Sequence, residues 1–108
     1  GKGKHMKISQ NAFKTLQEIL KNLQIASTNG AKVLNLLVLQ NPIIPDTFFI
    51  KYDIEYMSGG DRKFEPRLTQ ITDIGEPMDI NDQFDNVYQR YAFLGDCIPV
   101  NVSDLKIK

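Results

Sequence analysis

Histidine, cysteine and tryptophan are nearly missing from this chain: 108 residues include one histidine, one cysteine and no tryptophan. The histidine, His5, lies in GKGKHM, which reads as a vector remnant with a cloning junction at His5-Met6. Residues 1–6 are therefore set aside, and 7–108 are read as a single domain that can be a fragment of a longer protein. Without His5 the chain has no means of building a Ser-His or Cys-His couple or a His-ligated metal site. Most hydrolase and zinc-enzyme designs are closed to it. Cys97, alone, allows no intramolecular disulfide and is compatible with a cytoplasmic or other reducing compartment.

Long apolar runs are lacking as well. VLNLLVL and NPIIP fall far short of the roughly 20 residues needed to cross a bilayer, so no membrane span is expected. Neither sign of charge dominates: Lys and Arg number 13, as do Asp and Glu, and setting aside Lys2 and Lys4 leaves 11 (13 − 2) cations. A net charge of about −2 argues against a nucleic-acid partner, because phosphate neutralisation supplies most of such affinity. No G-x-G-x-x-G, G-K-[ST] or G-x-S-x-G pattern occurs, Gly59-Gly60 being followed by Asp61-Arg62. No cofactor is expected.

What is present divides into three segments. In 9–30, Phe13, Leu16, Leu20 and Leu23 recur at spacings of 3, 4 and 3, with Lys14, Glu18, Lys21 and Asn22 on the other side. This is an amphipathic helix, capped by Ser9 or Asn11 and ended by Asn29-Gly30. The same stripe suits a coiled-coil seam, but it is under two heptads long and a core-facing helix is the commoner owner.

The second segment is β. In 47–57, Phe48, Ile50, Tyr52, Ile54 and Tyr56 share one face, against Phe49, Lys51, Asp53, Glu55 and Met57 on the other. Upstream, Lys32 to Gln40 is a nearly continuous Val/Leu run suited to a strand buried on both faces, though its leucines leave a helix open. Ser58-Gly59-Gly60-Asp61 reads as a hairpin turn leading into a third strand over 63–74, where Pro66 points to a sheet edge.

The third segment holds the acids Asp79, Asp82 and Asp85. A calcium loop starting at Asp79 would need Gly at position 6 and Glu at position 12, which here are Phe84 and Arg90. No metal site is expected. Asp79 instead caps a helix over 79–94, with Asp82 in its first turn and Ile80, Phe84, Val87 and Tyr91 on one face. Val87, Gln89, Tyr91 and Phe93 alternate well enough for a strand to remain the rival reading. Ile98, Val100 and Val102, then Leu105 and Ile107, close the chain with one or two short strands. Asn101-Val102-Ser103 fits the glycosylation acceptor pattern, a match short enough to arise by chance.

The expected fold is thus α+β, an N-terminal amphipathic helix and a second helix packed on one face of a mainly antiparallel sheet of three to five strands. The expected function is a non-enzymatic protein-protein interaction or assembly domain. Phe49, Lys51 and Met57, on the exposed face of the best strand, are the candidate partner-binding residues, the rival reading being that Phe49 belongs to a second buried layer. The alternatives are a single-stranded nucleic-acid-binding domain, with Lys51, Arg62, Lys63 and Arg67 near Tyr52 and Tyr56, and a carboxylate- and cation-dependent enzyme. Cys97, preceded by Asp96, reads as a buried structural cysteine. No catalytic residue is assigned.

Overall fold

A computed structural model describes residues 6–74 and 76–108. The elements run β1 (Met6–Ile8), α1 (Gln10–Thr28), β2 (Lys32–Gln40), β3 (Phe48–Ser58), β4 (Asp61–Ile71), β5 (Met78–Asp79), α2 (Val87–Asp96), β6 (Ile98–Pro99), a 3-10 turn (Val102–Asp104) and β7 (Leu105–Ile107). Strands β5-β4-β3-β2-β6 form one antiparallel sheet, and β1 and β7 form a separate parallel pair. The fold is α+β with a mainly antiparallel sheet, as the sequence indicates. No helix among the described residues is long and apolar enough to cross a membrane.

Local chemistry explains most of these elements. The Ser9 hydroxyl accepts the Ala12 N–H at 3.1 Å to start α1, and Gly30, at φ +104°, lets the chain leave it. Gly59 and Gly60 both have positive φ, as the tight turn of a hairpin with right-handed twist requires. Strands β3 and β4 then pair without interruption from Ser58↔Asp61 to Phe48↔Ile71.

Two hydrophobic layers hold the sheet. Register places Phe48, Ile50, Val38 and Ile71 on one face, where they pack with Ala12 and Leu16 of α1 and with Ile8 and Leu105 of the parallel pair. Phe49, Leu39 and Leu68 occupy the opposite face, packed with Ile80, Cys97 and, from α2, Phe93 and Leu94. The two helices therefore cover opposite faces instead of sharing one. The base of β3, Phe48-Phe49-Ile50, is buried on both sides, and the chain passes to the second face where the Ile80 N–H donates to the Leu68 carbonyl at 3.0 Å.

Three further features differ from the sequence reading. Helix α2 starts at Val87, capped by Asn86, whose side-chain amide oxygen accepts the Gln89 N–H at 2.9 Å. Asp79 belongs to β5 and caps the Asn81 N–H at 2.9 Å, and Gly95 lies inside the helix. Met6, set aside with the leading residues, pairs with Leu105 in β1, whereas 1–5 lie outside the described residues. Finally, only Val38 and Leu39 of β2 are buried; residues 32–37 are not the doubly covered strand that their composition suggests.

Candidate interaction edge

The sheet has two open edges of opposite character. On one side β5 pairs with β4 only at Thr69 and Gln70, leaving 61–68 without an outer neighbour among the described strands. That stretch reads DRKFEPRL, with Pro66 in mid-strand and five charged side chains, Asp61, Arg62, Lys63, Glu65 and Arg67. Its charges pair locally, Arg62 with Glu55 at 2.8 Å and Arg67 with both Glu65 and Asp79. Proline and charge are the standard means of keeping an edge from recruiting another strand.

Over 32–37 the other edge has no proline and a single charge, its further protection being a bulge. Strand β6 covers β2 only at Leu39 and Gln40, and the Val100 N–H reaches the Val38 carbonyl at 2.8 Å before the chain turns away at Asn101. Residues 32–37, KVLNLL, pair with β3 on one side and have no ladder partner on the other among the described residues. Their one charge is Lys32. A bulge interrupts the register between Leu34 and Leu37, with Asn35 at φ +58° and its amide donating to the Asp53 carboxylate at 2.9 Å. The extra residue sends Leu36 toward the α1 face and Leu37 toward the α2 face.

Each leucine borders a cleft. On the α1 face Leu36 lines a cleft of about 430 Å³ with Leu20, Leu23 and Val33, and an adjoining cleft of about 600 Å³ at the edge is lined by both Leu36 and Leu37 with Leu20, Pro99 and Val102. On the α2 face Leu37 lines a cleft of about 410 Å³ with Lys51, Tyr91, Leu94 and Pro99. Leu36, Leu37 and Tyr91 are 43%, 47% and 79% exposed. The backbone edge thus runs between two apolar recesses, an arrangement that can take up an extended segment: open N–H and C=O groups offer a ladder, and alternate side chains have recesses to enter.

The residues singled out from sequence do not form one patch. Phe49 is 1% exposed, its ring edge-on to Phe93 at 5.2 Å, and so is closed off beneath α2. Its place on the supposed exposed face is corrected by the second hydrophobic layer. Lys51 lines the Leu37 cleft, and Met57 is exposed near the hairpin turn. Leu34, Leu36, Leu37 and Tyr91 were missed, although Asn35 within an otherwise apolar run is a signal for a bulge with positive φ.

The basic and aromatic residues of the nucleic-acid reading fall only partly on one face. Tyr52 sits opposite Arg67, and Tyr56 opposite Lys63, on the α1 face, whereas Lys51 and Arg62 project from the α2 face. Burial pushes the Tyr52 hydroxyl above its ordinary pKa, Arg67 opposing and Asp79 reinforcing the shift. Cys97 is buried, its thiol donating to the Phe93 carbonyl at 3.4 Å; burial first, then the charge of Asp96, raises its pKa. A polar cleft of about 620 Å³ between α1 and residues 72–74, 76 and 77 carries Lys14, Glu18, Asp73 and Glu76. No three His, Cys, Asp or Glu side chains among the described residues come together to hold a metal ion. Comparison of the chain with family models, curated proteins and solved structures finds no match.

Proposed function

We propose that this chain is a non-enzymatic protein-interaction or assembly domain that works by strand addition to the open edge of β2. The observation that supports this reading is the asymmetry of the two edges. Residues 61–68 carry proline and paired charges, whereas 32–37 present leucines to both faces and a backbone edge with no outer ladder partner among the described residues. An apolar open edge is a liability for a protein that remains alone, and it is useful to one that recruits another strand.

Site-specific photo-crosslinking in cells tests the proposal. A photoreactive residue in place of Leu36 is expected to give discrete protein adducts that disappear when Leu37→Lys is added, while the same probe in place of Lys63 gives none. Absence of discrete adducts from position 36, or an identical set from position 63, would defeat the reading.

A further inference from the structure

The clefts beside β2 constrain what can occupy them. A strand added along 32–37 would place alternate side chains against Leu36 and Leu20 on one face and against Leu37 and Tyr91 on the other. Because both recesses are mainly apolar, they favour an incoming strand with apolar side chains on both faces, unlike the alternating strand of an ordinary half-exposed sheet. The chain contains such a segment in β2 itself: Val33, Leu34, Leu36 and Leu37 supply apolar groups to both faces around the bulge.

We propose, on the reading that the β2 edge is the interaction site, that its occupant is a second copy of this chain. The two β2 strands pair antiparallel about a two-fold axis near the middle of 32–37 and join the two sheets into one. Charge permits this arrangement. Lys32 is the one charged residue of the segment, and antiparallel pairing sends the two lysines to opposite ends, whereas parallel pairing would oppose them. Edge-to-edge pairing about such an axis also puts the same face of both sheets on the same side. Leu20 and Leu23 of α1, which remain half-buried while Ala12 and Leu16 are fully enclosed, then approach their counterparts. The helical stripe would serve as core in its first half and as seam in its second.

The area is adequate for a weak dimer. Leu34, Leu36, Leu37 and Tyr91 leave roughly 400 Å² of side-chain surface open per copy, taking each residue at about 200 Å². Adding Val33, Leu20, Leu23 and the strand backbone brings the two copies together to about 1,000–1,200 Å², the lower end of specific interfaces. Interfaces at this lower end include weak, transient encounters.

Sedimentation velocity on the whole chain between about 1 and 300 µM, with amide hydrogen exchange at both extremes, tests the proposal. Expected is a monomer-to-dimer shift of the micromolar order, lost in Leu36→Lys, with those amides of 33–37 that face away from β3 gaining protection only at high concentration. Leu36 is exposed enough that the lysine variant should retain the far-UV circular dichroism of the wild type. A monomer throughout, or a dimer that persists in a folded Leu36→Lys, would overturn the second-copy proposal. A synthetic peptide of residues 31–39 separates this failure from failure of the edge reading. If the wild type is monomeric but binds the peptide and Leu36→Lys does not, the edge is a strand acceptor for a different partner; if neither binds, both readings fall.

Discussion

Replacing Phe49 by alanine distinguishes a buried second layer from an exposed binding face. The ring is essentially inaccessible, enclosed by Leu39, Leu68, Ile80 and Cys97 and edge-on to Phe93. Truncating a fully buried phenylalanine typically costs about 3–5 kcal/mol, of which the aromatic pair accounts for about 0.5–1.5 kcal/mol. The layer is small and its outer wall includes the half-buried Phe84, Phe93 and Leu94, so α2 can settle partly into the space. That relaxation brings the expected loss to about 3–4 kcal/mol. With a urea slope of roughly 1.3 kcal/mol/M for a chain of this size, the midpoint should fall by about 2–3 M. The chain has no tryptophan, so far-UV circular dichroism and tyrosine fluorescence are the probes. Protein well below the micromolar range keeps self-association out of the measurement. Phe93→Ala, at the outer wall, should cost about half as much, and a double-mutant cycle should give about 0.5–1.5 kcal/mol of coupling. A loss below about 1 kcal/mol for Phe49→Ala would refute the two-layer architecture, because no closed aromatic layer yields that little.

Other substitutions test other parts of the molecule. Leu16→Ala, in the α1 core, should cost about 2–5 kcal/mol and Leu20→Ala about 1–2 kcal/mol in dilute chemical melts; equal losses would contradict their difference in burial. Asp46 has φ +55° and accepts both the Ser9 N–H and the Lys108 ammonium, joining the β2–β3 loop to both ends of the described chain. Asp46→Asn, which tolerates that backbone and keeps an acceptor, should cost under about 1 kcal/mol, and Asp46→Ala about 1–3 kcal/mol; thermal melts in which the two coincide would remove the clamp. The unfolded chain releases the Cys97 proton at a lower pH than the folded one, so stability should be insensitive to this thiol at neutral pH. It should fall as pH rises through the ordinary thiol range toward the raised folded value, and Cys97→Ala should lessen that loss. Urea titrations at several alkaline pH values read the effect, and an unchanged pH profile in Cys97→Ala would count against it.

What could be read from sequence was what neighbouring residues decide. Ser9, Asn29-Gly30 and Gly59-Gly60 carry their caps and turns in their own side chains and backbone preferences, and Pro66 announced an edge because it cannot donate a ladder bond. The start of α2 was misplaced because the stretch offers similar caps at Asp79 and Asn86; the bond from Ile80 to Leu68, distant in sequence, commits the first of them to the sheet. The division of the helices between two faces depends on the same crossing. The exposed edge of β2 was hidden for a different reason. Apolar composition records that a strand prefers burial, but it does not say which chain supplies the cover, so KVLNLL looks the same whether its neighbours are its own or another molecule's.

The parallel pair of β1 and β7 has a consequence for the order in which the chain folds. Met6 and Leu105 are 99 positions apart (105 − 6), whereas β3 and β4 are joined by a two-glycine turn. Closing a loop costs about 0.6 kcal/mol more for each doubling of its length, so the hairpin can form long before the ends can meet. Native contacts at Ile8 and Leu105 should accordingly be absent from the folding transition state, and conservative truncations there should accelerate unfolding while leaving the folding rate nearly unchanged. Stopped-flow chevrons of Ile8→Val and Leu105→Ala can check this; a slowed folding limb would place the closure early. On this account the ends fasten last and part first, and the lifetime of the native state is governed by a latch of three residue pairs.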